Sequence, residues 1–343
     1  MDTGAAVAGL PEAPVAVLGS GSWGTALAIQ FARAGRPVRL WGRDAAQQGT
    51  LIRERRNARY LPEAGFPEAL QPVLSLAEAV GGAAYVVVSV PSHAFRETLQ
   101  HLAQVCEPGQ RIAWATKGFE IDSGLLPHQV AQQVLGESVG IAVLSGPTFA
   151  REVGQGLPTA ITVASPDAAF AGRIARDLSS PNFRAYISGD YIGVEVGGAV
   201  KNVLAIGAGL SDGLHFGANS RMALITRGLN ELVRLGEALG ARRETFMGLA
   251  GFGDLVLTCT DDQSRNRRFG LLLARGCSPE AAMHEIGQVV EGYQAARAVH
   301  TVAQRLGVDM PICRGIYDIL YAGADAADLV RGLMGRPIKA EFD

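Results

Sequence analysis

Cysteine is scarce in this chain of 343 residues. Cys106, Cys259, Cys277 and Cys313 are scattered, with no CxxC pair and no histidine at metal-ligand spacing. That pattern fits reduced thiols and argues against a disulfide framework or a structural zinc. Neither sign of charge is in excess: 31 Lys and Arg stand against 33 Asp and Glu, a formal net charge of −2. There is thus no basic field to gather nucleic acid or anionic lipid. Long apolar runs are missing too. The most apolar stretch, 192–210, is broken by Glu195, Lys201 and Asn202, so it falls short of the roughly 18 uninterrupted residues of a membrane span and reads as a buried helix. Residues 1–13 have no basic segment followed by an apolar one, and are expected to be a disordered lead-in rather than a signal peptide. These absences leave a cytoplasmic globular protein with no nucleic-acid partner, no stable membrane insertion and no metal.

What is present is enough for two cores, with 48% hydrophobic and 19% charged residues. Short β-branched runs recur at 15–18, 38–41, 85–90, 111–115, 141–144, 160–163 and 183–187, and helical patterns at 23–34, 93–103, 126–135 and 168–178 separate most of them. Such alternation implies a parallel sheet covered on both faces. Beyond about 190 the strand runs stop, and helical patterns continue at 218–239, 265–274, 291–305 and 311–321. The fold class is therefore α/β: a Rossmann-type doubly wound sheet over 14–190, then an all-helical domain over 191–343. No repeat or low-complexity linker separates them, which points to a packed interface with the active site between.

Directly after the first strand run comes Gly19-Ser20-Gly21-Ser22-Trp23-Gly24, opening a helix. In that strand–turn–helix context Gly19 allows the tight turn, Gly21 lets the backbone approach a pyrophosphate, and Gly24 permits close helix–strand packing. The second strand run ends in Gly42-Arg43-Asp44, where such a fold selects the ribose. A guanidinium at Arg43 would accept a 2′-phosphate and favour NADP; with Asp44 beside it, a solvated arginine tolerating NAD and NADP alike stays open. Ser89-Val90-Pro91-Ser92 falls on the same sheet edge, where a plain strand-to-helix connection explains it equally well.

Three further segments carry polar groups that structure alone does not ask for. Lys117, in Ala115-Thr116-Lys117-Gly118, lies beyond a strand end; it suits a phosphate or carbonyl oxygen, or is simply a surface lysine. Lys201 and Asn202 interrupt the apolar helix, and a buried ammonium is unfavourable unless paired or used. Glu195, six positions away, is too far round for an i,i+4 pair, while a snorkelling lysine remains open. In Gly251-Phe252-Gly253-Asp254, a helix starting at Asp254 would put Thr258 on its face. Arg265 and Asn266, after Ser264, could hold a phosphate by charge-assisted bonds; a capping aspartate and a solvated basic helix start are the plain alternative.

Taken in order, the motifs Gly-Ser-Gly-Ser-Trp-Gly, Ala-Thr-Lys-Gly, Leu144-Ser145-Gly146-Pro147-Thr148-Phe149-Ala150, Gly198-Ala199-Val200-Lys201-Asn202, Gly251-Phe252-Gly253-Asp254-Leu255 and Ser264-Arg265-Asn266 resemble the bacterial NAD(P)-dependent glycerol-3-phosphate dehydrogenases, from about Pro14 to Arg336. The resemblance implies that Lys201 exchanges the proton at the substrate carbon. It places Lys117, Gly146, Thr148, Asp254, Ser264, Arg265 and Asn266 around glycerol 3-phosphate; the spacing adds Thr258, four positions from Asp254, to the substrate side. It lines the cofactor, NADP or NAD, with Ser22, Trp23, Arg43, Lys117, Ala150, Arg265, Val289 and Glu291. In the mechanism expected from it, Asn202 and Asp254 orient Lys201. A homodimer is also implied. A hydroxy-acid dehydrogenase of the same two-domain type and a non-catalytic nucleotide sensor on the same fold are the alternatives.

Overall fold

In a computed structural model of the protein, residues 13–334 are described. The expected disordered lead-in, apart from Ala13, and residues 335–343 of the expected helical domain lie outside the described residues. The first half alternates strand and helix. β1 (Val15–Leu18), α1 (Ser22–Arg33), β2 (Val38–Trp41) and α2 (Ala45–Glu54) lead to a small antiparallel hairpin, β3 (Arg56–Asn57) and β4 (Leu61–Gly65). Then come β5 (Leu70–Val73), α3 (Leu76–Val80), β6 (Tyr85–Val88), α4 (Phe95–Ala103), β7 (Ile112–Trp114) and α5 (Pro127–Leu135). β8 (Ile141–Ser145), α6 (Ala150–Gln155), β9 (Thr159–Ala164), α7 (Ala168–Leu178) and β10 (Phe183–Ser188) complete this half.

Eight of these strands form one sheet in the order β10-β9-β8-β7-β6-β1-β2-β5. Every residue of β1, β6 and β8 is buried, as central strands covered on both faces must be. Leu27, Phe31 and Phe170 pack on one face, and Phe95, Leu99 and Val130 on the other. The sheet departs from the all-parallel expectation at one junction, where β9 runs antiparallel to β8. The connecting α6 has six residues and so rises about 9 Å. That is shorter than the roughly 17 Å of five-residue β8, and α6 packs on α1 and β4 rather than recrossing the sheet. The eleven-residue α7 does recross, and β10 is parallel to β9. β5 is not among the expected strand runs; it is an edge strand carrying Pro72, whose missing N–H is tolerated there.

After β10 the described chain is helical: α8 (Tyr191–Gly213), α9 (Gly217–Ala238), α10 (Asp254–Thr260), α11 (Arg265–Ala274), α12 (Pro279–Ile286), α13 (Glu291–Leu306), α14 (Pro311–Tyr321) and α15 (Ala326–Met334). α8 is long and apolar enough to cross a membrane by length and composition, yet 94% of its apolar window is buried inside the protein. It packs against α9, α10, α11 and α13, and also against β8 and β9. This one helix therefore belongs to the helical core and touches the sheet.

Candidate active site

β1 lies where the sheet order reverses, between β6 and β2, and a doubly wound sheet opens its ligand crevice at that point. Gly19 turns the chain with φ +115°, and a Cβ there would stand 2.3 Å from Ser89 O at the end of β6. Gly24 closes against the turn itself, since a Cβ would come within 1.9 Å of Gly19 O. Gly21, by contrast, faces nothing within 4 Å. α1 begins at Ser22 with no side-chain cap, so its first N–H groups lack the partner that capping would supply. The Trp23 indole Nε1 is buried without a hydrogen-bond partner. An open glycine, an uncapped helix of 12 residues and an orphaned donor together fit the pyrophosphate region of a dinucleotide.

Arg43 follows β2 with 80% of its side chain exposed and Nη1 3.6 Å from Glu97. Asp44 beside it caps α2, its Oδ1 accepting from the N–H groups of Ala46 and Gln47 at 3.0 Å each. The carboxylate that would have competed for a ribose hydroxyl is turned into its own helix.

Three elements distant in sequence set one carboxylate between two ammonium groups. Lys117 follows β7, Lys201 lies within α8, and Asp254 opens α10 immediately after a π-helical turn, Leu249–Gly253. Lys201 Nζ donates to Asp254 Oδ1 at 2.5 Å, and Lys117 Nζ to Oδ2 at 2.6 Å. Thr258 Oγ1, one helical turn on, accepts from Lys201 Nζ at 3.0 Å and donates to Asp254 O at 2.6 Å. Burial brings the Lys201 ammonium down to about 8; Asp254 pulls it back up and Lys117 adds a push downwards. Burial also works against ionised Asp254, but Lys117 and Lys201 outweigh it and hold the carboxyl below the usual range. The cluster carries a net single positive charge in a dry setting, which suits a developing oxyanion.

Beside it begins α11. Ser264 caps this helix, accepting from Arg267 N–H at 3.2 Å, and Arg268 makes the first i→i−4 bond, to Ser264 O. The N–H groups of Arg265 and Asn266 therefore sit at the open helix end, with the Arg265 guanidinium 3.3 Å from Gln288 Oε1. Asn266 uses its side chain elsewhere: Nδ2 donates to Asn202 Oδ1 and Oδ1 accepts from Gly292 N–H, both at 2.9 Å. Asn202 Nδ2 reaches Glu291 Oε2 at 3.5 Å. One expectation is corrected here. Asn202 does not orient Lys201, because successive helix residues point about 100° apart; it ties α8 to α11 and α13. The Asn266 amide likewise joins helices, leaving its backbone N–H at the open end. Glu291 opens α13. Burial pushes its carboxyl up while Arg265, Lys117, Lys201 and His93 pull it down, so it shares the field of the basic groups. Val289, just before it, is exposed.

The segment after β8 reaches the same place. A Cβ on Gly253 would lie 3.5 Å from Pro147 Cγ, which sets this segment against the turn before Asp254. Thr148 Oγ1 donates to Gly146 O at 3.2 Å, Gly146 packs on β9 at Ala160 and Ile161, and Ala150 begins α6. Ser145, Gln47 and Asn57 also belong here yet are absent from the sequence-based set. Ser145 Oγ is buried without a partner, and like Lys117 Cγ it lies close to Gly198 on α8. Gln47 and Asn57 donate to the Ser20 carbonyl. Ser145 lies within a quoted motif, whereas Gln47 and Asn57 stand outside all of them.

The family descriptions that match are NAD-dependent glycerol-3-phosphate dehydrogenase N-terminus, over residues 14–171, and C-terminus, over residues 190–331. A relative from Thioalkalivibrio sulfidiphilus, named glycerol-3-phosphate dehydrogenase [NAD(P)+], is 55% identical over 333 residues, covering 97% of this chain and 100% of its own. A crystal structure of glycerol-3-phosphate dehydrogenase from Coxiella burnetii is 44% identical, with a TM-score of 0.91 over 94% of this chain and 99% of that one. A D-mandelate dehydrogenase structure, 14% identical with a TM-score of 0.63 over 92% of this chain and 99% of that one, shares the fold alone. On these matches, spread over both halves of the molecule, the chain belongs to the NAD-dependent glycerol-3-phosphate dehydrogenase family.

Proposed function

We propose that this enzyme reduces dihydroxyacetone phosphate to sn-glycerol 3-phosphate, with residues 14–190 binding most of the dinucleotide, 191–343 most of the substrate, and each half lending residues to the other's ligand. The observation that carries it is the buried Lys201–Asp254–Lys117 cluster beside the open, arginine-bearing end of α11. Bound NADPH or NADH supplies the hydride for C2. Lys201 donates the proton to the C2 oxygen, and Lys117 adds positive charge against the developing oxyanion. Asp254 holds both ammoniums, and Thr258, one turn further along the same helix face, accepts a second bond from Lys201. The N–H groups of Arg265 and Asn266, the Arg265 guanidinium and the Ser264 turn receive the phosphate, a remote group whose binding orients the reacting carbon. Gly146 and Thr148 close the substrate side. Gly19, Gly21, Ser22, Trp23 and Gly24 receive the pyrophosphate end, with Ala150, Val289 and Glu291 completing the cofactor surround.

Exposed Arg43, next to an Asp44 occupied in capping, supports a preference for NADPH over NADH. The product suits glycerophospholipid synthesis in the cytoplasm, and the working unit is a homodimer. Oxidation of NADPH and of NADH, measured separately with dihydroxyacetone phosphate, tests the reaction. Thermal protection by glycerol 3-phosphate and inorganic phosphate, with none by simple hydroxy acids, separates it from a hydroxy-acid dehydrogenase. Turnover of a hydroxy acid at a comparable rate would sink the assignment.

A further inference from the structure

The glycine-rich loop disposes of its backbone polar groups in a definite order. Gly19 N–H donates to Trp41 O at 2.7 Å, and Gly21 O accepts from Thr25 N–H at 3.0 Å. Between them, the Ser20 carbonyl accepts from two side-chain amides, Asn57 Nδ2 at 3.0 Å and Gln47 Nε2 at 3.1 Å. Asn57 is fully buried in β3. Nδ2 also donates to Thr25 Oγ1 at 2.8 Å, and Oδ1 accepts from Tyr60 N–H at 3.3 Å. The Ser20 side chain is pressed against β2's end, where a Cβ on Gly42 would fall 2.1 Å from its Oγ.

Among the described residues no peptide bond is cis, and in a trans peptide the N–H points opposite to the C=O of the same plane. With Ser20 O drawn to Asn57 and Gln47, the Gly21 N–H faces away from both, at the uncapped start of α1. We propose that Asn57, assisted by Gln47, is a positioning residue for the cofactor: by gripping the Ser20 carbonyl it holds the Ser20–Gly21 peptide with its N–H towards the pyrophosphate. Gly21 has no Cβ to restrain that plane, so without the two amides it is free to turn and present a carbonyl oxygen to the anion. The proposal rests on the dinucleotide site argued above.

The test uses Asn57→Ala and Gln47→Ala, singly and together, with dissociation constants for NADPH, NADH and adenosine 2′-phosphate, which lacks a pyrophosphate. Asn57→Ala is expected to weaken both dinucleotides by the same factor, about ten-fold or more, as for one lost charge-assisted contact. Gln47→Ala does so by a smaller factor, equal for the two. Adenosine 2′-phosphate affinity stays within about two-fold. Gln47 is half-buried on α2, so its removal opens no core position and answers the question even if Asn57→Ala fails to fold. Unchanged dinucleotide affinities with only a lowered Tm would overturn the proposal, as would an equal loss for adenosine 2′-phosphate. A wild-type protein that binds neither dinucleotide would instead overturn the site itself, an outcome distinct from wild-type and variants binding alike.

Discussion

At the scale of single residues, the chemistry turns on how far burial moves one ammonium. Lys201 at about 8 is charged at neutral pH and able to give its proton up. Reduction of dihydroxyacetone phosphate needs the charged form, so its kcat/KM is expected to fall as pH rises through about 8. Oxidation of glycerol 3-phosphate needs the neutral form, so its kcat/KM should rise over the same interval. Lys201→Ala should remove on the order of 10²–10⁴-fold of turnover and abolish both inflections. An unchanged pH profile in that variant would show that another group exchanges the proton. The contribution proposed for Arg43 is of a different kind, since a 2′-phosphate is present on only one of the two cofactors. Arg43→Ala should raise KM for NADPH about ten-fold, the effect of losing one charge-assisted contact, and leave KM for NADH nearly unchanged. Equal losses would place Arg43 on the part the cofactors share.

Elements matter here through their ends. α11 offers an open N-terminus because Ser264 satisfies Arg267 and leaves the two preceding N–H groups free to meet an anion. Arg265→Ala removes the guanidinium but keeps this helix end. It should therefore raise KM for dihydroxyacetone phosphate strongly, and reduce the preference over unphosphorylated dihydroxyacetone without abolishing it; a preference left intact would remove Arg265 from the phosphate site. α14 shows the opposite arrangement, an N-terminus closed by a carboxylate from another helix. Glu231 of α9 accepts from Ile312 N–H at 2.6 Å and Cys313 N–H at 3.0 Å. Burial pushes its carboxyl up to about 7 despite those two bonds. The sign follows from linkage: a folded-state value above the unfolded one gives stability that is complete below about 4.5 and lost as pH rises to about 7. The loss is on the order of 3 kcal/mol. The stability of the wild type relative to Glu231→Gln should therefore decline between pH 5 and 8, as read by denaturant unfolding, and a constant difference would refute the assignment.

For the molecule as a whole, the helical half must be held in register with the sheet. A buried group on α8, the helix that carries Lys201, does this. Glu195 of α8 accepts from Trp114 Nε1 of β7 at 3.0 Å and from His128 N–H of α5 at 2.9 Å, and its Oε2 lies 2.5 Å from His128 Nδ1. Burial raises its carboxyl, with His128 and Trp114 acting against that. Glu195→Ala would strand three polar groups in the interior, and a buried donor or acceptor left unsatisfied costs about 1–3 kcal/mol. A large fall in Tm is expected, accompanied by a loss of kcat because Lys201 is carried on the same helix. A variant as stable as wild type would show that the two halves are held by apolar packing alone.

Much of the site could be read from the sequence because it is local. The Gly19–Gly24 loop and the interrupted apolar helix at Lys201 are each contained within a few residues, where turn chemistry and periodicity act. The alternation of apolar runs likewise foretold a doubly wound sheet and a helical second half. Contacts between distant elements could not be read this way. Lys117 and Asp254 are 137 positions apart and Lys201 and Asp254 are 53, and nothing in a periodic pattern says which helix end will meet which strand end. Asn202 looked equivalent to Lys201 in sequence, and only the crossing of α8 with α11 and α13 gave it Asn266 and Glu291 instead. β9 ran against its neighbour because α6 was too short to recross the sheet, and Asn57 reached Ser20 because the hairpin folds back over the loop. Local sequence thus determined which chemical groups this protein has and which turns and helices display them. Packing between elements decided which groups meet, since that depends on surfaces assembled from residues far apart in the chain.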